Sequence, residues 1–308
     1  MAKDNVICPE ISIIMAVYNA EEYLEEAIRS MLNQSFKNFE FIIIDDGSND
    51  NSLELIKKFA LLDNRISFIS RANKGLIYSL NEALSKTNGY YIARMDADDI
   101  SFPKRLEKQY MFMQTNGLDI CGGDYISINK DGELINTHSV PKSQVEILLS
   151  MASNVPFAHP SVMIRQSFLS NHGLKYGMYG DRIADDLDLW MNMYNSGAKF
   201  GNLDTCILKY RLLPNSYSAV YHSAIKKETN EQFDIFVKNN RESFKAGLEV
   251  FFLNDDNKKQ QQRVAVKALM RYLYVDFNFN LLYKCVTKVR LNNLIFGILS
   301  HIKSKLVI

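Results

Sequence analysis

Three carboxylates crowd the stretch from Tyr90 to Asp99, where Asp96, Asp98 and Asp99 follow an apolar run that ends at Met95. Acids packed so closely repel one another unless water solvates them or a cation sits among them. A hard divalent ion carrying a diphosphate suits such a set, because Mg²⁺ and Mn²⁺ take one or two carboxylates together with phosphate oxygens. The alternative is a solvated acidic loop that caps the next helix. Asp45 and Asp46 form a second group, ahead of Gly47 and Ser48. They read either as a side-chain turn or helix cap, or as acceptors for a base or ribose at a strand edge. Asp185, Asp186 and Asp188 make a third cluster beside Trp190, the only tryptophan. A helix N-terminus favours carboxylates for its own sake. A general base that deprotonates an acceptor hydroxyl would look the same. Asp188 falls on a different face from Asp185 and is expected at the surface or in a structural role. His159, beside Pro160, is a candidate for substrate or metal contact and otherwise a structural side chain. Neither Gly-x-Gly-x-x-Gly nor Gly-x-x-x-x-Gly-Lys-Ser/Thr occurs. No glycine loop then cradles phosphate, and a metal at Asp96 and Asp98 would take that task.

Stepping strands and helices position these acids. Apolar runs at Ile11–Val17, Phe39–Ile44, Ile66–Ile69 and Tyr90–Met95 are short enough for buried strands. Between them, Leu24, Ala27, Ile28 and Met31 recur at helical spacing, and Leu53–Leu61 and Leu76–Leu84 read as helices. Asn19 with Glu22 three residues on resembles a capping box. Alternating strands and helices specify a parallel sheet covered by helices on both faces. Ligands of such sheets bind outside the carboxyl ends of the strands. Polar residues stand at all of those ends: Tyr18 and Asn19, Asp45 and Asp46, Arg71 to Lys74, and Asp96 to Asp99. A helix is expected from Pro103 to about Gln114, then a strand from Asp119 to Asn129. A hairpin turn at Lys130–Glu133 leads into Leu134–Thr137. Val145–Met151 reads as a helix, His159–Ile164 as a strand, Asp185–Tyr194 as a helix and Phe200–Tyr210 as a strand. From about Ser218 onward helical patterns take over.

At 308 residues, 47% hydrophobic and 23% charged, the composition is that of an ordinary globular chain with material for a sizeable core. The net charge of +1 gives no global preference for nucleic acid. From Lys258 to Ile308, however, ten Lys/Arg face a single acid, Asp276. That basic helical segment is a solvated appendage, a membrane-surface element or a partner-binding element. Cys8, Cys121, Cys206 and Cys285 lie far apart without a Cys-x-x-Cys pair, which argues against a zinc site and for a reducing compartment. No signal-peptide pattern opens the chain and no run of about 18 apolar residues occurs, so a cytoplasmic protein is expected, with the inner face of the cell membrane as its place of work.

Together these segments resemble family 2 of the nucleotide-sugar glycosyltransferases, the bacterial polysaccharide type with the A-type fold. The resemblance runs over Ile11–Asn19, Phe36–Ser48, Asn73–Leu84, Gly89–Asp99 with Arg105 and Leu106, His159–Met163, Asp185–Trp190, and Tyr210 with Arg211. It implies an α/β fold with a mainly parallel nucleotide-binding sheet and a helical C-terminal extension. The expected division is a glycosyltransferase domain over 1–218, with a nucleotide-binding half at 1–115 and an acceptor half at 116–218, followed by the basic extension at 219–308. The reaction implied is inverting transfer of a hexose-type sugar from a UDP-sugar to a hydroxyl of a saccharide or lipid-linked acceptor, assisted by Mn²⁺ or Mg²⁺. The nucleotide would meet Ala16, Tyr18, Asp45, Asp46, Lys74 and Asp96, with Asp46 on the uracil and Asp96 near the donor sugar. Asp98 would hold the metal. Asp186 would be the catalytic base, with Asp185 where the family often has Glu. His159 and Arg211 would touch acceptor or diphosphate. Two positions depart from the pattern: Ala16 stands where proline is common, and Leu213 where many members carry a histidine near the diphosphate. A nucleotidyltransferase or sugar-nucleotide pyrophosphorylase is the competing enzyme, but the acidic segment after the first strand, with Glu21 and Glu22, lacks the basic glycine-rich loop those enzymes show there. A non-catalytic UDP-sugar-binding subunit is the other alternative.

Overall fold

Strand β1 (Ile11–Val17) is the axis of the sheet. Ile11, Ile13, Ile14, Met15 and Val17 are buried, on both faces of the strand, as a strand covered by helices on two sides requires. The structure, a computed structural model, describes residues 8–178, 185–253, 259–289 and 291–306. β1 pairs in parallel with β2 (Phe39–Asp45) on one side and with β4 (Tyr91–Arg94) on the other, and β2 pairs in parallel with β3 (Ile66–Ser70). Helices α1 (Glu21–Leu32), α2 (Ser52–Leu62) and α3 (Leu76–Leu84) make the crossovers. Leu24, Ala27, Ile28 and Met31 of α1 and Ile56 and Phe59 of α2 join Ile13, Met15, Phe41 and Ile43 in one cluster. The alternate residues Ile14, Ile42, Ile44 and Ile92 are buried on the opposite face, and α3 packs against β1 and β2.

Beyond β4 the sheet becomes mixed. A two-residue strand β5 (Ile100–Ser101) and helix α4 (Arg105–Asn116) precede β6 (Ile120–Ile128) and its hairpin partner β7 (Leu134–His138). After α5 (Gln144–Ser150) come β8 (Met163–Arg165), α6 (Gln166–His172), α7 (Asp185–Asn195) and β9 (Phe200–Arg211). The strand order is β3-β2-β1-β4-β8-β6-β9-β5, with β7 on β6. β8 runs antiparallel to both β4 and β6, while β6 and β9 are parallel. The parallel half is therefore the expected one, and the second half supplies antiparallel joints.

Three local expectations change. Asn19 does not cap α1. Ala20 stands at the N-cap without a side-chain hydrogen bond, and Asn19 takes a positive φ of 49° with its Oδ1 accepting from Asn49 N at 2.8 Å. The helix after Pro103 starts at Arg105. His159–Ser161 is a single 3₁₀ turn, not strand, and only Met163–Arg165 pairs. Pro160 explains this, since it has no N–H to offer a ladder.

The chain divides into two compact units. The first holds residues 1–139, 157–178 and 192–214, and with them the whole sheet. The second holds 140–156, 179–191 and 215–308. Within it, α5 opens on a capping box between Ser143 and Glu146. After α8 (Tyr217–Val220), helices α9 (His222–Asn239), α10 (Arg241–Leu253), α11 (Lys259–Val275) and α12 (Phe279–Val286) bury Phe233, Phe236, Phe244, Leu248, Leu269 and Tyr272. α13 (Leu291–Leu306) packs on α11. Among the described residues, no helix is long and apolar enough to cross a membrane.

Candidate active site

Strand order places the site. The chain winds from β1 outward through β2 to β3, then returns to the other side of β1 as β4. Connections leaving β1 and β4 diverge, and at such a switch point open sheets bind their ligands. Val17 pairs with Asp45, and Asp46 N donates to Val17 O at 2.8 Å. Ile14 pairs with Arg94, and Met95 N donates to Ile14 O at 3.0 Å. The end of β1 thus lies beside Asp45–Asp46 on one side, and the loop Asp96–Asp99 follows β4 on the other. Ala16, half-buried, and Tyr18, exposed, lie between them.

The two aspartates at the end of β2 differ. Asp45 is buried, with Oδ1 accepting from Ser48 N at 3.2 Å and Oδ2 from Ser70 Oγ at 2.7 Å. It closes the turn. Asp46 reaches across to the segment after β3: Oδ1 accepts from Lys74 N at 2.8 Å and from the Arg71 guanidinium, and Oδ2 accepts from Gly75 N at 2.9 Å. Gly47 makes that approach feasible. Its φ is +76°, and a Cβ there would stand 2.7 Å from Asn73 N, closer than any side chain tolerates. Arg71 also binds Glu82 and Ser79 of α3 and lies 4.9 Å from the Tyr78 ring centre, while Lys74 Nζ sits 4.4 Å above the same ring. Lys74 itself is exposed.

On the β4 side, Asp96, Asp98 and Asp99 each offer a carboxylate oxygen, and these lie within 4.8 Å of one another. Asp96 is gripped by the buried Arg94, whose Nη1 donates to Oδ2 at 2.5 Å and whose Nη2 forms an ion pair with Oδ1 at 2.5 Å. Burial first, and the Asp96 charge second, push the Asp98 carboxyl up to about 6. The same causes, with Asp98 added, raise Asp99 well above the ordinary range. Asp99 Oδ1 accepts from Arg211 N at 2.8 Å, but its Oδ2 is buried without a hydrogen-bond partner. Crowded hard oxygens, one of them orphaned, fit a divalent cation such as Mg²⁺ or Mn²⁺.

Arg211 is a bolt for this loop. Its Nε donates to Asp98 O at 2.9 Å, Nη1 to the carbonyls of Asn129 and Lys130, and Nη2 to Glu26 at 2.7 Å. Expected at acceptor or diphosphate, it is buried and spends these donors on protein oxygens. His159 is half-buried, its Nε2 3.1 Å from Tyr176 Oη. Burial, then the Arg94 charge, hold its imidazole well below the usual range, so it is neutral. Asn81 of α3 fixes Tyr176 through its backbone N and O. In the second unit, Asp186, the second residue of α7, is half-buried, with Oδ1 accepting from Leu187 N at 2.8 Å. Asp188 is buried rather than at the surface. The side chain of Asp185 lies outside the described residues. Leu213, in the first unit, is half-buried.

Sequence reading missed the cations that order the acids. Arg94 was legible in principle, because a charged residue inside an otherwise apolar buried strand demands an anion. Arg105 is buried behind it, with Nη2 donating to Arg94 O at 2.7 Å, and burial pulls it down to about 10. Glu26 carries no local signal, since its partner Arg211 is remote in sequence.

The family model described as glycosyl transferase family 2 matches residues 12–173. The chain is 35% identical over 206 residues to the O-antigen biosynthesis glycosyltransferase WbnJ of Escherichia coli, covering 66% of this chain and 79% of WbnJ. Staphylococcus aureus TarS 1–349 in complex with UDP-GlcNAc superposes with a TM-score of 0.59 at 16% identity, over 96% of this chain and 89% of TarS. The mannosyltransferase PcManGT of Pyrobaculum calidifontis, in complex with GDP-Man and Mn²⁺, superposes with a TM-score of 0.57 at 14% identity, over 99% and 90%. A sheet with this strand order, its acids at the switch point and this sequence match lead to one conclusion: the chain is an enzyme that belongs to glycosyl transferase family 2.

Proposed function

We propose that this glycosyltransferase moves a hexose-type sugar from a UDP-sugar to a hydroxyl of a saccharide or lipid-linked acceptor in polysaccharide biosynthesis, with inversion and with a divalent metal. The observation that carries the reading is the acid triad at the β1–β4 switch point, crowded, partly desolvated and left with an orphaned oxygen. The family relative named for O-antigen biosynthesis supports the acceptor class. A chain of the same fold holding UDP-GlcNAc supports the donor, and one holding GDP-Man makes GDP the competing nucleotide.

Asp98 and Asp99 would hold the metal, with Asp96 tied back by Arg94 beside them. The bound ion would supply positive charge to the leaving diphosphate. Arg211 keeps the loop in place. Asp46 holds the Lys74–Gly75 backbone at the nucleobase side, and Tyr18 offers an exposed ring at the end of β1. The acceptor oxygen attacks the anomeric carbon from the face opposite UDP. The new C–O bond forms as the bond to the diphosphate breaks, UDP leaves with that electron pair, and Asp186 takes the hydroxyl proton.

The test is thermal shift with UDP, GDP and UDP-sugars, with and without Mn²⁺, followed by release of UDP from UDP-sugar and water. A ligand bound only by the folded state raises the midpoint. The expected result is a Mn²⁺-dependent shift with UDP that Asp98→Ala abolishes together with UDP release. Asp186→Ala should keep the shift and lose about 100-fold or more in transfer. A shift with GDP alone would overturn the UDP assignment, and a shift without turnover would favour a binding subunit.

A further inference from the structure

Helix α13 turns its apolar residues the wrong way for a helix that merely completes a core. The side it gives to α11 is polar and small. Asn293 is buried, with Nδ2 donating to Gln262 Oε1 at 2.9 Å. Gly297 is buried too, and a Cβ on it would stand 2.3 Å from Val266 Cγ1. Close approach of the two helices therefore uses the absence of a side chain. On the remaining circumference, Ile295 is 47% exposed, Ile298 40%, Leu299 59% and Ile302 48%. Spaced three and four apart, they form one continuous stripe. Phe296 borders it, with Arg263 4.7 Å and Lys267 5.5 Å from its ring centre. Tyr274 of α11, itself exposed, packs against His301 of α13 at 5.5 Å.

A contiguous apolar stripe of this kind marks an interaction surface. We infer that α13 lays this face on an anionic lipid surface. Charge decides among occupants. Arg263 and Lys267 stand beside the stripe at Phe296, whereas Arg271 and Lys284 are already answered by Asp234 and Glu249. Two copies meeting through this face would bring like charge against like. Anionic headgroups match the positive charge while their acyl boundary takes the isoleucines and leucine, the arrangement of helices that lie in a membrane plane. An exposed tyrosine at the border of the stripe is what such helices present at headgroup level. The inference stands apart from the identity of the sugar donor.

Flotation of the full chain with vesicles tests it, using phosphatidylcholine alone and phosphatidylcholine mixed with phosphatidylglycerol. The expected result is capture by the anionic vesicles only, weakened by added salt. Ile298→Glu with Leu299→Glu should reduce it about tenfold or more, with melting temperature and UDP release unchanged. Ile298→Ser with Leu299→Ser removes apolar surface without adding charge and should give an intermediate loss. Equal capture by both vesicle types overturns the inference, as does undiminished capture of both double variants. A wild-type dimer that the glutamate variant dissociates, with no capture by either vesicle, assigns the face to a second copy and overturns it as well.

Discussion

Burial and the Arg94 charge hold the His159 imidazole well below the ordinary histidine range near 6.5, so the folded chain keeps it neutral while the unfolded chain takes up a proton there. Below that pH the unfolded state binds more protons, and stability falls as pH falls. Asp98 works in the opposite sense. With its folded carboxyl pushed up to about 6, it favours the folded state at low pH and loses that contribution as pH rises through about 6. Comparing wild type with His159→Gln separates the two, because the Asp98 contribution is common to both, and glutamine can still hydrogen-bond Tyr176. Urea midpoints between about pH 8 and pH 5 should fall more steeply for wild type than for the variant. Parallel curves would show that His159 titrates normally. At the same scale, the paired acids of β2 do separate jobs. Asp45 closes its own turn, and Asp46 clamps the neighbouring loop through Lys74 N and Gly75 N.

Close backbone approach, rather than side-chain packing, sets the edges of the parallel strands. A Cβ at Gly89 would stand 2.5 Å from Ser12 N and 2.7 Å from Ile11 C. Gly117, at the C-cap of α4, has a φ of +60° and nothing within 4 Å. Gly89→Ala should therefore push β4 off β1 and cost about 3 kcal/mol or more. Gly117→Ala should cost only about 1 kcal/mol, for the left-handed backbone alone. Thermal melts of the two variants check the contrast. The parallel half of the sheet was legible because each strand is a buried apolar run between polar punctuation, and a βαβ repeat permits few topologies. Ile11–Val17 and Leu76–Leu84 match residue for residue. What escaped has a physical reason in each case. β5 has only two residues, so it carries no period, and it is held by β9 from far along the chain. α6 begins directly on β8 without a cap signal. Asn19 and Glu22 match a capping box in type and spacing, but Asn19 is drawn instead to Asn49, a contact no local pattern encodes. The acids at the strand ends were readable from their types. Their ordering by Arg71 and Arg211 was not, since those pairings join residues 25 and more than 100 positions apart.

At the scale of the whole molecule, the four thiols divide between surface and interior. Cys8 is exposed and Cys206 half-buried, while Cys121 and Cys285 are buried, with burial pushing both of the latter up to about 12. Thiolate is the reactive form. A disulfide reagent should modify Cys8 first and Cys206 more slowly, and reach Cys121 and Cys285 only as their surroundings open. Cys121 lies in the sheet unit and Cys285 in the helical unit, so each reports opening of its own unit. UDP with Mn²⁺ should slow modification of Cys121, read by mass spectrometry of the labelled peptides. An unchanged rate would mean that the nucleotide does not stabilise the sheet. The bolt made by Arg211 bears on how the enzyme is made. Arg211 N closes on Asp99 across 112 positions, so a nascent chain leaving the ribosome presents its acid loop long before the residue that steadies it exists. Donor binding should therefore switch on abruptly, only after β9 has emerged, and stalled chains of increasing length would display that threshold.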